Sequence, residues 1–179
     1  MNPIGHFITI TKHRHKVIYH CAKCGILWRG LMHDLSKYSP TEFIPGAKYY
    51  LGTRSPNEAE RNEKGYSAAW LHHKGRNRHH FEYWTDLSIV SRQYEAVEMP
   101  PKYFVEMVMD RIAACKIYNG KNYSQGDALH YLINSAEGKD LTMMHPKTRE
   151  DLVSVLTMLE EKGEAETFRY LRKEYLKRK

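Results

Sequence analysis

The sequence predicts an all-α fold. Apolar residues recur predominantly at the 3.6-residue spacing of helices, and no alternating pair of segments flanks a hairpin turn. Serine, proline and glycine also fall where helices start and stop. Phe7 to Leu27 reads as one long helix, with Val17, Ile18, Cys21, Ala22 and Cys24 among its apolar positions and Gly25 near its end. A short helix then carries Leu31 to Lys37. Ser39-Pro40-Thr41-Glu42 combines an N-cap serine, a first-turn proline and a glutamate three residues after the cap. That pattern predicts a capping box opening a third helix toward Tyr50. Gly52 to Asn62 is polar, contains Pro56 and Asn57, and reads as a surface loop before a helix through Ala68, Ala69, Trp70 and Leu71.

Gly75 to Arg78 breaks that helix, so the doublets His72/His73 and His79/His80 bracket a bend, with His79 beginning the next helix. Met99-Pro100-Pro101 starts a helix whose apolar stripe is Phe104, Val105, Val108, Met109, Ile112 and Ala113. Asp110 lies within the stripe, and Asn119-Gly120 ends it. Ala128 to Ser135 adds another helix. Pro146 precedes a helical hairpin in which Leu152, Val155, Leu156 and Leu159 line one face. A charged turn, Glu160 to Glu164, contains Gly163, and Phe168, Leu171 and Tyr175 mark the final helix.

The chain has 179 residues, which fits a single domain over 1–179. Its hydrophobic content of 41% and charged content of 27% suit a globule and argue against a disordered chain. No apolar run approaches the roughly 20 residues needed to cross a bilayer, so no membrane partner is expected. Met1 to His15 are polar and basic instead of forming an apolar signal region, and the three cysteines, an odd number, cannot close a disulfide framework. A cytoplasmic location is the expectation. The formal charge of +7 favours anionic partners. Its basic tail, Arg169 to Lys179, reads first as a helix end complementing the dipole. The apolar face of the last two helices serves either as core or as a homodimer contact.

Eight of the eleven histidines cluster, and the sharpest local feature is Leu31-Met32-His33-Asp34-Leu35-Ser36-Lys37. An imidazole and a carboxylate are adjacent there and can reach one ion placed between them, while Lys37 shares the face of Asp34. An isolated His-Asp pair usually caps or bridges helices. Here His15 precedes it, two His doublets follow, and Asp110 sits in an apolar stripe, where a carboxylate is costly unless paired or metal bound. Pairing with Arg111 is the plainer account of Asp110.

The order His15, His33-Asp34, His72 or His73, His79 or His80, Asp110 resembles the HD superfamily of metal-dependent phosphohydrolases, over about Lys12 to Lys116. The strings HDLSKYSPTEF, AWLHHKGRNRHHFEYW and VMDRIAACKIYNGK are more closely similar to a family of uncharacterised bacterial and phage proteins with no assigned substrate. The resemblance implies an HD-like helical bundle with its metal-site core over about 12–120 and the helical hairpin over about 146–179. It implies His15, His33, Asp34 and Asp110 as primary metal ligands, with one histidine of each doublet at a second metal site or on phosphate. His73 and His79 are preferred, the first because it ends a periodic helix and the second because it begins the next. The gap from His15 to His33 is short for such enzymes, which leaves His13 and His20 open as the first ligand.

Imidazole and carboxylate donors suit one or two divalent transition ions (Mn, Fe, Co, Ni or Zn) better than magnesium. Such an ion generates hydroxide at neutral pH and neutralises phosphoryl charge. Asp34, Lys37 and Glu42 are the candidate catalytic residues, and Lys37, Arg76, Arg78 and His79 the candidate substrate contacts. Glu42 reads equally as a cap residue and as an acceptor for a ligand imidazole. The expected activity is hydrolysis of a phosphoester in a nucleotide or similar phosphorylated small molecule. The alternatives are a non-catalytic nucleic-acid-binding or regulatory protein on the same scaffold, and a di-iron oxygenase. Cys21 and Cys24 have half the spacing of a zinc site but lack a second pair, and read as core. Trp70, Phe81, Tyr83 and Trp84 read first as core and second as a stack for a nucleobase. Nothing in the chain matches a Gly-rich phosphate loop, a serine elbow or a dinucleotide fingerprint.

Overall fold

A computed structural model describes residues 1–134 and 143–178. Among them are eight α-helices and one small hairpin of strands, so the fold is all-α as expected. The first helix, α1 (Pro3–Lys23), starts four residues earlier than the apolar pattern suggests. Asn2 caps it, accepting a hydrogen bond from the Gly5 amide at 2.8 Å, and Pro3 takes the first turn. Gly25, at φ 81°, turns the chain out of the helix. The short α2 (Leu27–Met32) then lies directly on α1. Gly30 makes that contact possible: a Cβ there would stand 2.9 Å from the Ile18 Cα and 2.8 Å from the Cys21 Cβ.

The His33-Asp34 pair does not lie in a helix, which corrects the helix expected over Leu31 to Lys37. It forms the turn between α2 and a 3-10 segment, Leu35–Tyr38. The third helix, α3 (Pro40–Lys48), begins at Ser39 and Pro40, but the capping box does not form. Ser39 Oγ donates instead to the Ser36 carbonyl at 2.6 Å, and Glu42 is released toward the histidines. The stretch expected to be loop contains α4 (Pro56–Lys64), capped by Ser55 and stopped by Gly65. Ser67 caps α5 (Ala68–Lys74), and buried Glu60 of α4 accepts from the Ser67 hydroxyl at 2.6 Å.

His79 and His80 lie in an irregular turn, not at the start of a helix. A 3-10 turn (Phe81–Tyr83) follows, then an antiparallel pair, β1 (Thr85–Leu87) and β2 (Tyr94–Ala96), with Thr85 opposite Ala96. Three residues a side were too short to register as alternation. Helix α6 (Pro101–Asn119) carries the expected stripe into the centre of the core, where Phe104, Val105, Val108, Met109, Ile112 and Ala113 are all fully buried. Helix α7 (Asp127–Asn134) follows, and Ser135, expected to close it, falls outside the described residues.

The last element, α8 (Pro146–Lys173), bends at Gly163, whose φ of 75° and ψ of 176° are not helical. The Tyr175 hydroxyl donates to Asp151 at 2.9 Å across 24 residues, whereas a straight helix of that length would separate them by about 36 Å. The two arms therefore fold back on each other as the expected hairpin. Leu152, Val155, Leu156 and Leu159 of the first arm and Phe168 and Leu171 of the second close over α6, over Val17 and Cys21 of α1 and over Cys24, which caps it. Each such fully buried aliphatic contributes about 1.5–3 kcal/mol. Both Cys21 and Cys24 are core residues: Cys24 Sγ lies 3.5 Å from Met109 Sδ, and burial pushes its pKa up to about 12.

Two stability predictions follow from this packing. Gly30→Ala forces α2 off α1 and lowers unfolding free energy by about 1–3 kcal/mol in urea denaturation. His20 is fully buried against Phe168 and accepts from Lys116 Nζ at 3.2 Å; burial first, and then Lys116, hold its pKa down at about 4. The fold thus prefers the neutral ring. Its stabilising contribution is complete above the unfolded value near 6.5 and is lost as pH falls toward 4, by up to about 3 kcal/mol. His20→Asn flattens that part of the acid-denaturation profile.

Candidate metal centre

Four elements converge on one buried cluster. Helix α1 brings His13, the turn after α2 brings His33 and Asp34, α5 and the turn after it bring His73, His79 and His80, and α6 brings Asp110. The turn at Asp34 is held tightly. Asp34 has φ 54°, a left-handed backbone that aspartate tolerates better than most residues. Arg14 donates from Nε to the His33 carbonyl at 3.2 Å and from its terminal nitrogen to the Leu31 carbonyl. Local strain of this kind, of order 1–3 kcal/mol, persists where the surroundings over-determine it.

Asp34 is the hub. Its Oδ2 is 3.3 Å from His33 Nε2 and 2.6 Å from Lys37 Nζ, while its Oδ1 is 3.3 Å from His73 Nε2 and 3.4 Å from His79 Nε2. Asp110 Oδ1 lies 2.8 Å from His13 Nε2 and 3.4 Å from His33 Nε2. Three groups of donors result, with one donor atom per residue and all donors of a group within 4.8 Å of one another: two candidate ligand sets that share Asp34, His13/His33/Asp34/Asp110 and Asp34/His73/His79/His80, and a third group, His33/His79/Glu106. Several inward atoms are also unsatisfied: His33, His73, His79 and His80 Nε2 and Asp34 Oδ1 are buried and make no hydrogen bond among the described residues, while His13 Nε2 and Asp34 Oδ2 have only their ion-pair partners Asp110 and Lys37. Buried polar atoms are normally bonded, and a convergent set of this kind could hold a metal ion.

The outward ring nitrogens are satisfied by carboxylates. Glu42 accepts from His73 Nδ1 and from His72 Nδ1, both at 2.7 Å. Glu106 faces His33 Nδ1 at 3.1 Å and His79 Nδ1 at 3.4 Å, and it is anchored by Arg29 at 2.7 and 2.8 Å. An ionised carboxylate only accepts, so the Nδ1 atoms of these rings carry protons and their Nε2 atoms face inward, where a bound ion would take the place of any proton held there.

Burial works against ionising Asp34 and Asp110, yet both are held well below the usual carboxylate range. His33, Lys37 and His73 do this for Asp34, and His13 and His33 for Asp110. Glu106 likewise falls to about 2 against its burial, through His33 and His79. Burial also opposes a proton on His33, but Asp34, Asp110 and Glu106 together raise its pKa well above the ordinary value. Burial and neighbouring imidazoles depress His79 and His80. Lys37 and Arg29 offset two of the four negative charges on Asp34, Glu42, Glu106 and Asp110, and the protons favoured on His33 and His73 offset others, a part that a bound divalent ion would take over.

Residues 3–158 match a family described as a family of unknown function, DUF5662. The chain belongs to that family. No curated protein and no solved structure matches it. In this DUF5662 chain the expected residues His33, Asp34, His73, His79 and Asp110 come together, and Lys37 joins them. His15 does not. It is exposed on α1, about 200° around the helix from His13, and His13 occupies the place expected for it. Glu42 serves the histidines and not the helix cap. Arg76 is exposed and donates to the His72 carbonyl at 3.4 Å. Arg78 donates to the Tyr103 hydroxyl at 3.0 Å and stacks near Tyr83 and Tyr103, so neither arginine points into the cluster. His72 is half-buried on Glu42, outside both ligand sets, whereas both members of the second doublet enter one.

Sequence reasoning missed Glu106, and it preferred His79 of the second doublet where both His79 and His80 enter the set. Glu106 could have been found: it lies four residues before Asp110, so two carboxylates share one face of an otherwise apolar helix. Its role predicts that Glu106→Ala weakens divalent metal binding about 10–100-fold, measured by competition with a chromophoric chelator. Glu106→Gln, which keeps one acceptor, falls between that variant and wild type.

Proposed function

We propose that this protein is a metal-dependent phosphohydrolase that cleaves a phosphoester in a nucleotide or nucleotide-like substrate. The observation that carries the reading is the single carboxylate, Asp34, shared by two buried sets of histidine and aspartate donors. His13, Asp110 and His33 with Asp34 would hold one ion, and His73, His79 and His80 with Asp34 a second. The donor chemistry suits Mn, Fe, Co, Ni or Zn. When bound, such ions supply hydroxide at neutral pH and neutralise charge on a phosphoryl oxygen. The order of the ligands along the chain, similar to that of HD-type phosphohydrolases, supports the same reading, with His13 in the first position.

The residues of the chain divide the remaining work. Glu42 and Glu106 fix the rings that face the ions. Lys37 neutralises Asp34 and is about one-third exposed, so its ammonium group is the cation of the site that a phosphate oxygen can reach from solvent. In the reaction a water oxygen joins phosphorus, the P–O ester bond breaks, and the leaving oxygen takes a proton to become the alcohol. Phe81 is buried in the apolar core, whereas Trp70 packs edge-on to His80 beside the site.

Elemental analysis of protein purified without chelator tests the metal part directly. One or two transition ions per chain are expected in wild type and in His15→Ala, and none in Asp34→Ala at unchanged helical content. The loaded protein is then expected to hydrolyse members of a panel of aryl phosphates, aryl phosphodiesters, nucleoside monophosphates and short oligonucleotides. A fully loaded protein inert toward the whole panel overturns the assignment.

A further inference from the structure

The solvent face of α1 carries a pattern that the metal centre does not use. Lys12, Lys16, Tyr19 and Lys23 recur at i, i+4, i+7 and i+11, and all four are exposed. They form one stripe, opposite the face that buries Ile10, His13, Val17 and Cys21. His15 lies at its edge. The stripe runs about 16 Å, from Lys12, the neighbour of His13 in the metal centre, to Lys23. There it enters a cleft of about 750 Å³ between the end of α1 and the second arm of α8, where Lys23 meets Arg169, Arg172 and Lys173.

Little negative charge opposes these cations. Glu164, the acid that lines the cleft, is paired with Lys116, and Arg169 is paired with Glu166. Lys23, Arg172 and Lys173 make no salt bridge among the described residues. No carboxylate interrupts the first part of the chain, whose first acidic residue is Asp34. Two exposed rings accompany the charge. Tyr19 lies 4.5 Å from Lys23 Nζ. Trp28, 71% exposed, stands three residues beyond Gly25, on which Arg172 packs.

We propose that this stripe and cleft bind single-stranded nucleic acid and lead its phosphodiesters toward the metal centre. Spaced cations follow the phosphates, and exposed ring faces take unpaired bases of any sequence. A duplex would leave the rings without partners. The binding stands on the surface alone, and only its delivery to the metal centre rests on the phosphohydrolase reading.

The test is fluorescence anisotropy of a labelled single strand of about 15 nucleotides, in chelator so that no turnover occurs. Wild type is expected to bind, with log affinity falling against log salt at a slope of about −2 to −3, as three or four phosphate contacts require. The double variant Lys23→Glu, Arg172→Glu loses at least ten-fold in affinity and shows a shallower slope. Trp28→Ala loses several-fold with the slope unchanged. Both variants keep wild-type helical content and metal content, which separates lost binding from lost folding. Asp34→Ala binds the strand as wild type does, so failure of the metal reading leaves the binding result intact. Absence of binding at about 50 mM salt, indifference to the charge reversals or to Trp28→Ala, or equal affinity for duplex or heparin overturns the proposal.

Discussion

Asp34 is a carboxylate almost wholly removed from water, in a left-handed turn, with imidazoles facing both of its oxygens. Burying an ion of this kind costs several kcal/mol unless positive charge and directed donors surround it. Much of the architecture answers that demand. Helix α1 sends in His13 and uses Arg14 to pin the turn, α2 is pressed onto α1 through Gly30, and Lys37 comes back from the next segment to Asp34 Oδ2. Helix α5 and the turn after it supply the rings on the opposite side.

Helix α6 joins this polar cluster to the apolar core. Phe104, Val105, Val108 and Met109 pack among the α8 arms and α1, while Glu106 and Asp110, one turn apart, face the histidines. The candidate ligands are therefore fixed by the packing that stabilises the fold. Around them, two carboxylates each orient two rings, Glu42 on His72 and His73, and Glu106 on His33 and His79. A ligand ring whose outer nitrogen is bonded has one tautomer and one direction, which is the preorganisation a metal site needs.

Several parts were legible from residue pattern. The α6 stripe, the proline starts of α3, α6 and α8, and the Gly163 turn all appear where spacing and cap residues place them, because periodicity and capping are local physics. The hub Asp34 and the partners His33, His73, His79 and Asp110 were also recognisable, as costly polar residues set in apolar or clustered surroundings. Elements whose identity depends on distant contacts were not. The polar segment that folds as α4 has no apolar stripe of its own and is tied down through Glu60 to the start of α5. The short strands gain their pairing only from each other.

By itself, then, the sequence determined a helical chain with a set of imidazoles and carboxylates too concentrated to be incidental. The tertiary structure decided which of them meet. His13 and His15 are equivalent in composition and separated by one residue, yet about 200° of helix rotation sends one to Asp110 and the other to solvent. Glu42 had a local partner and a distant one, and two imidazole donors outcompeted a backbone cap. Arg76 and Arg78, near the ligands along the chain, point elsewhere. Sequence separation measures distance along the backbone, whereas a metal site depends on side-chain direction across several elements, and that is set only when those elements pack.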